Sequence, residues 1–349
     1  MSVLFHLTMP AGPLAALEAV MQDVQALQKQ IPGSQINHLH PGKRPGTRLP
    51  RQLWGMTQLL SLRRAEQQIK LHHIFNPDLF PFPVLRGLRK PIVYTAVTGL
   101  GYTSKATAQK LARRVHIVVL PTAAGQQRLA AWGIENTAVI HSGINTTKFQ
   151  YQPPPADAPF TLMMASAPWT NAQFRSKGID ALLAAAQERP DLHLIFLWRG
   201  LLADEMRQRI AQANLGQRVT LLNERVDVND TLSRVHASVV LADDPALVKA
   251  FPHSLLESLV AGKPVLVSPT MALADYVMEK ACGVVVTAVS PPAILQALNQ
   301  LQNQYATYQQ NALAVGKRDF SQQQFIEATL ALYKSVVGGD FLPGTAVAP

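Results

Sequence analysis

Residues 249–268, KAFPHSLLESLVAGKPVLVS, decide how the chain is read. Pro252, His253 and Ser254 mark a helix start, because proline suits a first turn and a serine hydroxyl accepts an orphan backbone N–H. Leu255, Leu256, Leu259 and Val260 form one apolar stripe at helical spacing. Gly262 stops the helix, and residues 264–268 are a short apolar run of the kind buried in a parallel sheet. Glu257 lies well off the stripe. The helix is thus anchored on one side and shows a carboxylate on another. Its N-terminus offers orphan N–H groups and a partial positive charge to an anion.

The same alternation extends in both directions. The prolines of residues 151–159, YQPPPADAP, cannot join a sheet interior and read as a linker. Beyond it, strands are expected at 160–165, 193–198, 218–222, 237–241, 264–268 and 283–287. Helices fall between them near 179–188, 203–213, 229–236, 253–261 and 272–279, followed by 291–307 and 321–336. Before the linker, strands are expected at 3–8, 34–39, 69–75, 92–96 and 117–120, with helices at 13–29, 51–68, 104–114 and 123–132. Residues 41–50, PGKRPGTRLP, hold three prolines and two glycines and read as a mobile basic loop. Two successive βα alternations imply an α/β chain with two Rossmann-like, doubly wound domains. The expected division is 1–150, 151–320, and a C-terminal helix over 321–349 that packs back on the first domain and ends in a frayed tail. Ligands of such sheets bind beyond the carboxyl ends of the strands, here in a cleft between the domains.

Composition narrows the class. The chain has 349 residues, 48% of them hydrophobic, enough for two cores. Cys282 is the single cysteine, which rules out an internal disulfide, suits a reducing compartment and reads as core filler. No run of 18 apolar residues occurs, and MSVLFHLTMPAG reads as a first strand, not a signal peptide. A cytoplasmic protein is expected. The net charge is +10, with much of the excess early, in Lys43, Arg44, Arg48, Arg51, Arg63, Arg64, Arg86, Arg89, Lys90, Arg113 and Arg114. Such a surface could meet anionic lipid or phosphorylated substrates, or be a solvated basic face. Neither aromatic–basic interleaving nor zinc-finger spacing occurs, so no nucleic acid is expected.

Two cations, Arg175 and Lys177, stand just before Gly178 and a helix with Ile179, Leu182, Leu183 and Ala186 at core spacing. Cations at a strand-to-helix loop suit a diphosphate. The order FRSKGIDALLAA, RVTLLNERV, VVLADDP and FPHSLLESLVAGKPVLVS resembles the C-terminal donor domain of GT-B glycosyltransferases of family 4, the glycosyl transferases group 1. HSGINTTKF is similar to that family's stretch before its linker, and LHHIFNP and KPIVYTAVTG to its third and fourth strands.

The resemblance implies retaining transfer of a sugar from a nucleotide-sugar donor to an acceptor, without a bound metal or other cofactor. The acceptor class would be a glycan, a lipid-linked molecule or a small molecule. By matched position, Arg175 and Lys177 would hold the donor diphosphate and stabilise the leaving nucleotide. Glu257 would bind ribose hydroxyls, Ser254 and Leu255 would donate to phosphate, Val226 would line the base, and Gly12 would sit in a glycine loop near the phosphates. Lys249 falls where the family places a sugar-contacting Glu, Pro252 where it places a glycine, Val97 where a histidine often stands, and Trp198 where a glycine ends the strand. A lysine at 249 could bind an acidic or phosphorylated sugar, or mark a pocket that binds a nucleotide or glycan without transfer. Lipid-linked acceptors and the basic early region together raise peripheral contact with an anionic membrane.

Other polar groups are less telling. His72 and His73, adjacent on a strand, point to opposite faces and cannot share one metal ion. His141 and His253 read as cleft residues or structural hydrogen bonders, Asp243 and Asp244 as a carboxylate pair or a solvated turn. Phe80 and Phe82 read as an apolar acceptor wall or loop packing.

Overall fold

The computed structural model describes residues 2–9, 15–42, 49–155, 157–199 and 201–338. Gly12, most of the basic loop (43–48) and the tail after 338 lie outside them. The chain forms two compact units, Met1–Gly143 with Gln322–Pro349, and Ile144–Ser321.

Unit 1 runs β1 (Val3–Leu7), α1 (Ala15–Gln30), β2 (Gln35–His38), α2 (Leu59–Ala65), β3 (Leu71–Asn76), β4 (Ile92–Ala96), α3 (Lys105–Ala112), β5 (Ile117–Leu120), α4 (Ala123–Ala131) and β6 (Thr137–Val139). Its sheet is parallel, in the order β2-β1-β3-β4-β5-β6. Side chains alternate across it: Val3, Phe5 and Leu7 enter one core layer with Val24 and Leu27 of α1, and Leu4 enters the other with Ile74 and Tyr94.

Unit 2 continues with β7 (Phe160–Met164), α5 (Ala172–Ser176), α6 (Ile179–Glu188), β8 (Leu192–Leu197), α7 (Ala203–Gln212), β9 (Val219–Leu222), α8 (Val228–Ser233) and β10 (Ala237–Val240). It closes with α9 (His253–Val260), β11 (Val265–Val267), α10 (Ala274–Lys280), β12 (Gly283–Val285), α11 (Pro291–Asn303) and α12 (Tyr305–Asp319). The parallel order is β12-β11-β10-β7-β8-β9, so the winding reverses between β7 and β10. Leu162 and Met164 face one layer, Met163 the other. The last helix, α13 (Gln322–Gly338), feeds Phe325, Leu332 and Tyr333 into the core of unit 1.

Three expectations need correction. The helix expected over 51–68 is broken into 3-10 turns at Arg51–Leu53 and Met56–Gln58 and the short α2. Gly55 interrupts it at φ 76°, and a Cβ there would lie 2.7 Å from Leu39 Cδ2. The helix expected over 291–307 breaks at Gln304; Tyr308, early in α12, still lies in the layer of α11, and the chain crosses to the other layer farther along α12. Leu298 and Leu301 of α11 fill the first layer, Ala312 and Val315 of α12 the second. Ser254 is not the cap residue of α9: that position is Pro252, whose side chain makes no cap hydrogen bond. Gly262 does end the helix, at φ 67°. Cys282 is fully buried, and burial pushes its thiol up to about 12. Among the described residues no helix is long and apolar enough to cross a membrane.

Candidate functional site

The winding reversal in unit 2 places the carboxyl ends of β7 and β10 side by side, where open parallel sheets bind ligands. Both strands feed loops that carry the cations and the helix start read from the sequence. After β7, α5 presents Arg175 to solvent, and Lys177 follows as its C-terminal cap residue. Gly178 then turns the chain into α6 at φ 68°, with room for no Cβ: one would lie 2.8 Å from Leu241. This close approach sinks the preceding lysine. Lys177 is buried, its Nζ donates to the Ala167 carbonyl at 3.0 Å, and burial lowers its ammonium from the ordinary range to about 8.

The two loops are joined across the reversal by the Asp243 N–H, which donates to the Ser176 carbonyl at 2.9 Å. The β10 loop is fastened on its other side as well. The Ala242 N–H donates to Ser268 Oγ at 2.9 Å, and Thr270 Oγ1 donates to the Ala242 carbonyl at 2.5 Å. From this loop come half-buried Lys249 and then α9, whose Leu255, Leu256, Leu259 and Val260 are fully buried. Burial of that stripe fixes the helix and leaves Ser254 and Glu257 half-buried on another side. The Leu255 N–H already donates to the Pro252 carbonyl at 3.0 Å. Half-buried Val226 lies farther along the same sheet end, in the loop from β9 to α8.

The fold therefore brings Arg175, Lys177, Lys249, Ser254, Leu255 and Glu257 to adjacent strand ends. Three features were missed in the sequence. Ser268 and Thr270 stitch the floor, and a Ser-Pro-Thr after an apolar run was the available signal. Trp198 does more than replace a glycine: it is buried, lies 5.8 Å from the Phe174 ring and donates from Nε1 to the Leu201 carbonyl at 2.8 Å. Beside it, Arg199 and Leu202 adopt left-handed φ of 34° and 62°, strain of the kind concentrated at functional loops.

Unit 1 separates His72 from His73 as strand geometry requires. His72 hydrogen-bonds His6 at 2.9 Å and Glu66 at 3.1 Å, whereas His73 hydrogen-bonds Thr95 at 2.7 Å and also Tyr333. Burial lowers both imidazoles, His73 to about 3, while Glu66 partly offsets the shift at His72. Phe82 is buried near Trp54, and half-buried Phe80 lies 4.4 Å beneath the Arg51 guanidinium. His141 and His253 are half-buried, Asp243 is exposed, and Val97 is half-buried.

Two doubly wound parallel sheets, with cations and a helix start at a switch point, define a GT-B protein. Residues 169–314 match the family model described as Glycosyl transferases group 1, and the chain resembles the glycosyltransferases of that group. It is 25% identical over 334 residues to the lipopolysaccharide core biosynthesis mannosyltransferase LpsB of Rhizobium meliloti (strain 1021), covering 89% of this chain and 87% of that protein. Its fold is similar to that of Anabaena HepE in complex with UDP and glucose, with a TM-score of 0.71 at 17% identity, covering 96% of this chain and 100% of that one. It is also similar to sucrose-phosphate synthase from Thermosynechococcus elongatus, with a TM-score of 0.73 at 16% identity, covering 97% and 100%. The family match and the mannosyltransferase likeness support glycosyltransferase activity.

Proposed function

We propose that the protein transfers a hexosyl group from a nucleotide-sugar to a glycan acceptor, with retention at the anomeric carbon and without a resident metal. One observation carries the reading: the Arg175–Lys177 loop and the α9 start, whose cap residue is Pro252, occupy adjacent strand ends, and their loops are joined by the Asp243–Ser176 hydrogen bond. A diphosphate held there would meet two cations and the positive end of a helix. As the sugar–phosphate bond breaks, the same groups would meet the growing negative charge, which is where fixed charge accelerates a reaction. Glu257, one turn into α9, would accept hydrogen bonds from ribose hydroxyls, and Val226 would line the base. That HepE holds UDP on a similar fold supports UDP as the first nucleotide to test.

Lys249 gives the donor a further property. A cation where the family has a carboxylate favours a sugar bearing a carboxylate or phosphate. The reading also places the enzyme in the cytoplasm, at the inner face of a membrane.

Calorimetric titration with UDP, GDP and ADP tests the proposal on the wild-type protein and on Glu257→Ala. One nucleotide should bind in the micromolar range and lose about 1–3 kcal/mol in the variant, the cost of an unmade hydrogen bond to a charged group. If none of the three binds, the donor site is refuted.

A further inference from the structure

Helix α12 buries one side and leaves another open. Ala312, Val315 and Gly316 are buried, whereas Gln309, Leu313 and Lys317 follow one another at four-residue spacing on a side that is not. Beside that row stands Tyr151, in the segment that leads into β7. These residues, with Gln310 and Arg318, line an open groove of about 710 Å³, within the range of ligand sites, roughly 300–1,000 Å³. All of it belongs to unit 2. Gly262 is at its floor: a Cβ there would lie 2.9 Å from Tyr151 Cδ2, 3.3 Å from Gln309 Nε2 and 3.3 Å from Leu313 Cβ. Gly262 follows the C-terminal end of α9, so the length of that helix, about 12 Å, separates the groove from the helix start assigned to the donor.

The aromatic wall of the groove is held from behind by a buried cation. Lys263 is fully buried. Its Nζ donates to the Gln152 carbonyl at 2.7 Å and lies 5.5 Å from the centre of the Tyr151 ring. Burying an ammonium without a carboxylate partner is costly, and what the cost secures here is the position of residues 151 and 152. The two cations at the far end of the groove differ. Arg318 is engaged by Asp319, to which its Nε and Nη2 donate at 2.6 and 2.7 Å. Lys317 is exposed and pairs with no carboxylate among the described residues. The groove thus offers a fixed aromatic ring, two carboxamides and one uncommitted ammonium.

We propose that this groove is a second binding site, distinct from the donor site, that holds a segment of a carboxylate-bearing oligosaccharide. The Tyr151 ring receives the C–H face of a sugar, the Gln309 and Gln310 amides both donate to and accept from its hydroxyls, and Lys317 meets the carboxylate. A nucleotide fits less well. Lys317 and Arg318 stand in the last turn of α12, the negative end of the helix dipole, which opposes the crowded charge of a diphosphate. A single carboxylate needs only the one ammonium. The open shape of the groove leaves both ends of a bound chain free, as a polymer segment requires.

Calorimetric titration of the full chain with a hyaluronan tetrasaccharide, trigalacturonate and neutral maltotetraose tests the site. Both acidic oligosaccharides should bind, and maltotetraose at least about ten-fold more weakly, the scale of a lost hydrogen bond to a charged group. Lys317→Met should bring the acidic ligands down to the affinity of maltotetraose, and Tyr151→Leu should weaken all three. Ala314→Glu, at an exposed position in the groove, should repel the acidic pair alone. Lys317→Met and Ala314→Glu should leave thermal unfolding and UDP affinity unchanged, and saturating UDP should leave oligosaccharide binding intact, which keeps this site independent of the donor site. Failure of both acidic oligosaccharides to bind would overturn the proposal. So would binding that survives Lys317→Met and Ala314→Glu undiminished, which would place the glycan elsewhere on the cationic surface, or competition between UDP and either acidic oligosaccharide.

Discussion

Lys177 and Arg175 are equivalent in the sequence, two cations before a glycine, yet the structure gives them different physics. Arg175 is exposed, whereas Lys177 is buried against the Ala167 carbonyl and its ammonium is lowered by burial to about 8. Only the protonated lysine answers a diphosphate, so the share of UDP affinity that Lys177 supplies should be complete by pH 7, where the terminal phosphate is also largely ionised. It should then fall as pH rises through 8, by up to about ten-fold per unit. Titration calorimetry across that range should show the inflection in the wild type and not in Lys177→Met; an identical profile in the variant would remove Lys177 from the phosphate. Arg175→Ala and Lys177→Ala should each cut transfer about 10²-fold, measured as sugar turnover once the donor is known. The pair was legible as two cations at a strand-to-helix turn, a pattern that is by itself more often plain surface and gains weight only from the second helix start in the same unit. The burial was not, because it depends on Leu241 and Val289, distant in sequence, closing over Gly178.

Among the elements, α9 matters most, and its position rests on α12. At Gly316 the two helices meet backbone to backbone: a Cβ there would lie 2.3 Å from the Leu259 carbonyl carbon and 2.4 Å from its oxygen. No side chain can move aside, so Gly316→Val should destabilise unit 2 by about 3 kcal/mol or more. UDP affinity should fall with it, as α9 carries Ser254 and Glu257. Gly216→Ala, with nothing within 4 Å of its Cβ, is the control and should change stability by no more than about 0.5 kcal/mol. Urea denaturation compares the two. The βα order was readable because apolar runs and glycine stops are local signals. The break between α11 and α12 was not, because Gln304 is a good helix former and carries no local stop signal. The break at Gly55 was equally hidden, since the glycine is required by Leu39 and Val84, which press on it from other elements.

Across the whole molecule, the chain leaves unit 1 after Gly143 and returns to it at Gln322. Helix α13 is therefore a remote piece of the first core, supplying Phe325, Ile326, Leu332, Tyr333 and Val336, with Tyr333 also bonded to His73. Burying each such side chain contributes about 1.5–3 kcal/mol, which in total is comparable to the whole stability of a domain, about 5–15 kcal/mol. A chain ending at Ser321 should lose the thermal transition of unit 1 and keep that of unit 2, as resolved by scanning calorimetry. Two unchanged transitions would show that α13 is dispensable.

The pairing of Ile144 with the chain's return point has a consequence for how such proteins diversify. The Ile144 N–H donates to the Phe320 carbonyl at 2.7 Å, and Ile144 bridges Ser321. Unit 2 is thus one uninterrupted stretch whose first and last residues lie side by side. A gene segment encoding it could be exchanged as a single cassette between relatives, with only one pair of neighbouring junctions to heal.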